Sequence, residues 1–167
     1  DGIAQSTPAV ADLDGDGDLD VVVGQGDGTL RYFENTGTAA APAYVERTGA
    51  ANPFDAVDAG ARSTPVFADL DNDGDMDLAV GSSDGTLRYY ENVGTTQAPA
   101  YLERTGASSP FTGIDAGDQG APALADLDGD GDLDLVVGVS DGTLRYYENT
   151  GSDAAAAYAE RTGTANP

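Results

Sequence analysis

The sequence predicts an all-β fold built from three copies of one four-stranded antiparallel unit. The chain repeats itself every 57 residues without insertions, as the positions of Pro8, Pro65 and Pro122 show. Each repeat contains short runs rich in β-branched and aromatic residues between Gly, Pro, Asn and Asp turn signals. Helical spacing of apolar residues is absent from all three repeats. The predicted units cover residues 1–57, 58–114 and 115–167.

The first repeat illustrates the four strands in order. A short apolar segment leads into an acidic loop, and a β-branched run of strand length follows it. Asp27 and Gly28 then form a hairpin dipeptide that tolerates positive φ. The third strand reads TLRYFE, and the turn-rich segment 35–42 separates it from the fourth strand, YVERT. The predicted strands are 9–11, 19–23, 29–34 and 44–48.

The second strand indicates how these units pack. Val21, Val22 and Val23 are consecutive, so both faces of the strand are apolar and both must be buried. Four-stranded antiparallel units with two apolar faces, repeated at this period, are typical of β-propeller blades. The segment 49–63 then returns the chain to the next inner strand across three strand spacings of about 4.8 Å. The main alternative is a β-solenoid, but its coils are shorter and lack these hairpins.

The charge of the chain excludes several classes of function. The chain contains 30 acidic residues and seven basic ones, all arginine, which gives a net charge of −23. Such a surface repels nucleic acid and anionic membranes, so neither is an expected partner. No apolar stretch is long enough to span a membrane, and the given residues show no signal peptide. Without cysteine, histidine or lysine, no nucleophile and base can be paired, so we expect no enzymatic activity.

The acidic loop ADLDGDGDLD of the first repeat predicts a metal site. Counted from Asp12, carboxylates stand at positions 1, 3, 5 and 9, and Gly17 at position 6 supplies a sharp turn. Calcium takes six to eight oxygen ligands, whereas magnesium prefers few carboxylates and several waters. Zinc and copper are disfavoured without histidine or cysteine. By analogy with EF-hand loops, Asp18 would ligate through its main-chain carbonyl and leave its carboxylate in water.

The same loop recurs twice, so three calcium ions per chain are expected. An EF-hand is excluded because position 12 of each loop is a valine (Val23, Val80 and Val137) where a bidentate glutamate is needed, and because the flanks are strands. The candidate ligand residues are the aspartates at positions 1, 3, 5, 7 and 9 of each loop. They are Asp12, Asp14, Asp16, Asp18 and Asp20; Asp69, Asp71, Asp73, Asp75 and Asp77; and Asp126, Asp128, Asp130, Asp132 and Asp134.

The pattern PxxADxDxDGDxDxxxG, followed by DGTLRYYENTGT, YxERTG and NPF, resembles the FG-GAP and VCBS-type repeats of large bacterial surface or secreted proteins. Its acidic loop is similar to the DxDxDGxxD loops of integrin α-subunit propellers. The resemblance covers essentially the whole chain. It implies a calcium-binding β-propeller for adhesion, recognition or scaffolding, at an extracellular or cell-surface location. The near-identity of the repeats favours recent amplification or a deliberately built repeat protein.

Three blades are fewer than the four to eight that usually close a propeller, so two apolar blade faces would stay open. Asp1 aligns with Asp58 and Pro167 with Pro53, and three periods of 57 residues exceed the 167-residue chain by four residues (171 − 167). A second copy could therefore follow the first with little gap, and oligomerisation would close the ring. The expected assembly is a six-bladed homodimer; the alternatives are a nine-bladed trimer and excision from a longer propeller.

Two functions follow from this sequence. The first is a calcium-stabilised, non-catalytic scaffold. The alternative is a lectin or adhesin that binds a ligand such as carbohydrate between blades or on the rim opposite the calcium loops. Arg31 and Tyr32 could stack on a sugar, but a structural role is favoured, with the tyrosine between blades and the arginine paired with an acid such as Glu34.

Overall fold

The computed structural model describes residues 6–152 and 154–166, which form three four-stranded antiparallel sheets. We call these sheets blades 1, 2 and 3. The termini whose alignment predicted a nearly gapless ring, Asp1 and Pro167, lie outside the described residues. Blade 1 contains β1 (Ser6–Ala11), β2 (Asp20–Gln25), β3 (Leu30–Asn35) and β4 (Tyr44–Arg47). Blade 2 contains β5 (Thr64–Ala68), β6 (Asp77–Gly81), β7 (Leu87–Asn92) and β8 (Tyr101–Arg104). Blade 3 contains β9 (Ala121–Ala125), β10 (Asp134–Gly138), β11 (Leu144–Asn149) and β12 (Tyr158–Arg161).

The prediction of four strands per repeat is confirmed, and in each blade the strands lie in sequence order. The first strand begins earlier than predicted because Ser6, Thr7 and Pro8 pair with β2. Pro8 is tolerated there since β1 is an edge strand and need not donate to a further neighbour. Single 3-10 turns, beginning at Gly49 in blade 1, follow the fourth strands. Within the described residues, no helix is long and apolar enough to cross a membrane.

The blades stack face to face, and the first strands of consecutive blades lie close together, β1 beside β5 and β5 beside β9. This packing explains the consecutive apolar residues of the second strands. In the middle blade every residue of β6 is buried, because a neighbouring blade covers each face. In blade 1, burial alternates along β2, since only one face has a neighbour. The expectation that the sheets lie between neighbouring blades is therefore confirmed for blade 2.

Two apolar cores fill the two seams between blades. In the first seam the return segment inserts Phe54, which is 1% exposed, between the sheets. Its ring stacks on Tyr101 of the next blade, with 4.7 Å between ring centroids. Phe111 repeats this contact in the second seam, where its centroid lies 5.6 Å from that of Tyr158. The return segments thus join consecutive blades and also supply the aromatic centre of each seam.

The predicted pairing of Arg31 with Glu34 is wrong. The Arg31 guanidinium donates to Glu46 at 2.8 Å, and Glu34 instead accepts two hydrogen bonds from Arg47, at 2.8 and 2.6 Å. The reason is strand geometry: residues an odd number of positions apart point to opposite faces of a strand. The partner of each charge therefore comes from the neighbouring strand.

The outer faces of the stack leave apolar side chains open to solvent. Leu30, Leu87 and Leu144 occupy one position of the repeat, yet they are 4%, 9% and 66% exposed. The first two lie in seams, whereas Leu144 lies on the outer face of blade 3. On the opposite outer face, Val10 and Tyr44 of blade 1 are 57% and 48% exposed. Each end of the stack therefore presents one half of a blade seam.

Candidate metal centres

The acidic loops all connect the first and second strands of a blade, so they lie at the same edge of the three sheets. In each loop, three aspartates bring one carboxylate oxygen apiece within 4.8 Å of the other two. Such a separation allows a single cation to contact all three oxygens. The triads are Asp12, Asp14 and Asp16; Asp69, Asp71 and Asp77; and Asp126, Asp128 and Asp134.

Hydrogen bonds from the loop's own backbone hold the carboxylates at positions 1, 3 and 5. Asp12 accepts from the amides of Gly15 and Gly17, at 2.8 and 3.0 Å. Asp14 accepts from the amide of Asp16 at 3.2 Å, and Asp16 accepts from that of Asp18 at 2.9 Å. The loop of blade 3 repeats these contacts. In blade 2 the Asp73 amide donates to Asp69 instead of Asp71, and one of the bonds to position 1 and the bond to position 5 are kept. The alternating spacing therefore bends the chain around its own carboxylates.

The turn at position 6 is confirmed, since Gly17 has φ of 90°. Position 4 is also left-handed, with φ of 72° at Gly15 and 60° at Asn72. Sequence reasoning missed this second turn, although only Gly and Asn occupy the position. Both residue types tolerate positive φ, Gly because it lacks a Cβ and Asn because its short side chain bonds locally.

The aspartate at position 9 is a buried hydrogen-bond centre. Asp77 is 1% exposed, and its Oδ2 accepts from the Leu70 amide and the Tyr89 hydroxyl, both at 3.0 Å. Its Oδ1 accepts from the amide of Asn92 at 2.7 Å. Asp20 and Asp134 make the same three contacts in their own blades. This residue therefore links the acidic loop to the third strand, from its middle to its last residue.

Position 7 differs from the expectation in blade 1. Asp18 is 8% exposed, so it is largely covered and does not leave its carboxylate in open water. In blade 2 the equivalent Asp75 accepts a hydrogen bond from the Thr96 hydroxyl in the loop between β7 and β8. That loop folds over the acidic loop, an interaction across 21 residues of sequence that a local pattern cannot reveal.

The residues fit a hard cation. Asp71 Oδ1 is buried, and no group among the described residues donates a hydrogen bond to it. Burial raises the pKa of Asp71, and neighbouring carboxylates, Asp73 foremost, raise it further. Burial and the charge of Asp20 act in the same way on the pKa of Asp14. A bound cation would give Asp71 Oδ1 a partner and would offset the repulsion, and a ligand set of carboxylate oxygens suits calcium.

The structure brings nine of the fifteen candidate ligands into triads. The other six lie in the same loops but outside them, namely Asp18, Asp20, Asp73, Asp75, Asp130 and Asp132. Sequence reasoning missed the residues that hold the position 9 carboxylates in place. Above all it missed three buried tyrosines that were expected only to fill space between blades, namely Tyr32, Tyr89 and Tyr146. Their hydroxyls donate to position 9 across 12 residues of sequence. The only sequence signal is their recurrence at one position of the repeat, which packing alone also explains.

We expect Asp77→Asn and Asp73→Asn to differ in the absence of calcium. Asp77→Asn should lower the free energy of unfolding in EDTA by about 1.5–3 kcal/mol, because an amide NH₂ group would face the Leu70 amide. Asp73 is exposed, and an asparagine oxygen can still accept from Asp75. Asp73→Asn should therefore have little effect in EDTA, whereas Asp77→Asn, which alters a member of the triad, should also lose stabilisation by calcium. Urea denaturation in EDTA and in calcium measures this, and equal losses in EDTA would contradict it.

Without calcium, the protein should melt at a higher temperature near pH 5 than near pH 7.5. Burial raises the pKa of Asp77 to about 6, so the folded state binds this proton more tightly than the unfolded chain does. Stability is therefore lost as the pH rises through about 6. Carboxyls with a lowered pKa, such as Glu34 beside Arg47, titrate below this window. Thermal melts in EDTA test the sign, and a lower melting temperature near pH 5 would refute it.

Comparisons with known proteins identify the repeats. A family model for the FG-GAP-like repeat matches residues 12–80 and again 69–137. A model for the FG-GAP repeat matches residues 119–158. Every acidic loop falls within at least one matched stretch. No curated protein matches the chain significantly.

Proposed function

The chain belongs to the FG-GAP repeat family, and from this membership and its acidic loops we propose that it is a non-catalytic, calcium-binding β-propeller scaffold. One calcium ion binds in each loop, three per chain, and folding is coupled to this binding. The observation that carries the proposal is that the acidic loop of every blade holds a carboxylate triad, with positions 1 and 3 in all three and position 5 or 9 as the third member. FG-GAP repeats are typical of extracellular proteins. Extracellular calcium is millimolar, which is enough to fill loops with the dissociation constants of roughly 0.1 to 1 mM that extracellular modules have.

The coupling has a physical basis in the loops. At neutral pH the carboxylates of each loop repel one another, so holding them together costs free energy in the absence of an ion. Calcium supplies the compensating positive charge. Since the unfolded chain does not hold the triads together, calcium binds the folded state preferentially and stabilises it. The contacts of Asp20 with Tyr32 and Asn35 then transmit this order to the third strand.

Calorimetric titration tests the proposed binding. We expect three calcium ions per chain with dissociation constants of roughly 0.1 to 1 mM, the range of extracellular modules. Magnesium at the same concentration should bind more weakly, because it retains its waters and prefers few carboxylates. The matched variant Asp71→Asn should remove one site of the three. Absence of calcium binding at several millimolar calcium would overturn the proposal.

We also propose that further copies close the ring, with a homodimer of six blades favoured over a trimer of nine. The support is the exposure of Leu144 on one end of the stack and of Val10 and Tyr44 on the other. Light scattering in calcium tests this directly. Since one chain has a mass of 16.9 kDa, two would give 2 × 16.9 = 33.8 kDa. A mass of one chain at high protein concentration would reject ring closure.

A recognition role is the second candidate, and cavities between the blades favour it. Cavities of about 290 and 320 Å³ lie beside the acidic loops in the first and second seams. Asp14, Tyr32 and Glu34 contribute to the first, and Asp71, Tyr89 and Glu91 to the second. Hydroxyl-rich ligands such as carbohydrate suit such polar and aromatic walls. A glycan array in calcium tests this role, and no binding to any glycan would count against it.

A further inference from the structure

We propose that calcium binding at the third loop and closure of the ring are linked, because a second copy of the chain completes the surroundings of that loop. The inference rests on the proposed function, and it adds regulation: calcium at one site of the three controls assembly. The third loop, Asp126 to Asp134, differs from the two loops that already have a neighbouring blade.

The first loop lies against the next blade. A Cβ placed on Gly15 would stand 2.9 Å from Gln97 Nε2 and 3.1 Å from the Thr96 methyl carbon. Both residues belong to the loop between β7 and β8 of blade 2. The same loop and Asp14 line the 290 Å³ cavity of the first seam. In the second seam, Asp71 lines the equivalent cavity with the segment 154–156 of blade 3. Thus in both seams a neighbouring blade's outer loop covers the acidic loop.

Among the residues that the structure describes, none covers the third loop in this way. A Cβ on Gly129, the counterpart of Gly15, would meet nothing within 4 Å. Asp126 and Asp128 are exposed, whereas the corresponding aspartates of the first two loops are partly buried. Leu127 between them is 48% exposed, while its counterparts Leu13 and Leu70 are 2% and 5% exposed. The surroundings of the third loop are therefore incomplete within the chain.

A second copy carries the missing surface. Blade 1 presents Val10 and Tyr44 on its open face, at the positions where blades 2 and 3 pack Phe67 with Tyr101 and Leu124 with Tyr158 into the seams. A second copy placed by the blade-to-blade relation within the chain would continue this interface. Its residues 38–42, equivalent to 95–99 of blade 2, would then lie over Gly129.

Covering the third loop has opposite consequences with and without calcium. The second copy's Ala39 and Ala40 offer no charge, so the carboxylates of Asp126 and Asp128 would lose water and gain no cationic partner. Bound calcium removes this penalty. Association and calcium binding at this site must therefore strengthen each other, because linkage is reciprocal.

Sedimentation velocity over a range of protein concentrations, in calcium and in EDTA, tests the linkage on the 167-residue chain. Calcium should strengthen association of the unaltered protein about 5- to 150-fold, the usual range of coupling between two sites. Asp128→Asn should abolish most of this gain. The matched variant Asp71→Asn also removes one calcium ion but lies in an internal seam, so it should keep the gain. Circular dichroism serves as the control that both variants are folded.

A second pair of variants tests the reciprocal effect, namely whether association of the chains strengthens calcium binding at the third loop. Leu144→Glu places a charge on the open face without altering an acidic loop, whereas Leu102→Glu alters an exposed residue of the outer strand β8. Calorimetry should show one weakened calcium site of three for Leu144→Glu and none for Leu102→Glu. This measurement also tests the linkage if Asp128→Asn does not fold.

The outcomes separate the linkage from the proposed function. Equal association of the unaltered chain in calcium and EDTA, or equal losses for Asp71→Asn and Asp128→Asn, would overturn the linkage and leave ring closure in place. A chain that stays monomeric under all conditions would overturn ring closure and the linkage with it. If Leu144→Glu and Leu102→Glu have the same calcium affinities at all three sites, the linkage is likewise overturned.

Discussion

In about 10 mM calcium, the chain should melt roughly 8–32 °C above its melting temperature in EDTA at neutral pH. Calcium at 10 to 100 times its dissociation constant stabilises the folded state by about 1.4–2.7 kcal/mol per site, so three sites contribute about 4–8 kcal/mol. For a domain of this size, each kcal/mol raises the melting temperature by about 2–4 °C. Differential scanning calorimetry in calcium and in EDTA measures the shift.

Two controls separate site binding from screening of the net charge of −23. Sodium chloride at matched ionic strength reports general screening, which weakens repulsion among exposed carboxylates without occupying the loops. The triple variant Asp14→Asn, Asp71→Asn and Asp128→Asn removes one negative charge at position 3 of every loop, a position that belongs to all three triads. This variant should lose most of the rise in melting temperature caused by calcium and little of the rise caused by sodium chloride. An equal shift in sodium chloride and calcium would remove the basis for coupled folding.

The sequence was sufficient for features that depend on local chemistry. The 57-residue period, the turn at Gly17 and the strands around Val22 follow from residue type and spacing, and the structure shows all of them. Burial on both faces of β6 also follows, because a strand without polar alternation needs two covered faces. The three carboxylate triads belong to this class as well, since every member comes from one loop.

Contacts between distant segments could not be predicted in the same way. The link between Asp20 and Tyr32 depends on how β2 and β3 align, and many side chains could occupy that space. The pairing of Arg31 with Glu46 depends on the register between β3 and β4. The insertion of Phe54 into the seam depends on the path of an irregular segment. Each of these requires tertiary geometry that a short sequence window does not contain.

Because the return segments supply the aromatic centre of each seam, loss of one of their rings should strongly destabilise the stack of blades. Phe54 is 1% exposed and lies between three rings, with centroids 5.9 Å away at Tyr32, 5.7 Å at Phe67 and 4.7 Å at Tyr101. Replacing a buried phenylalanine by alanine removes its transfer free energy and leaves a cavity. Since two of the three rings belong to blade 2, the substitution weakens packing between blades without altering an acidic loop.

Phe54→Ala should therefore lower the free energy of unfolding by about 3–5 kcal/mol while leaving the number of bound calcium ions at three. Tyr44→Ala is the matched control: Tyr44 occupies the repeat position of Tyr101 but is 48% exposed, so its loss should cost about 1 kcal/mol or less. Urea unfolding of dilute, monomeric protein measures both. If Phe54→Ala costs no more than Tyr44→Ala, packing at the seam does not stabilise the stack of blades, and the open seams would offer little free energy for closing a ring.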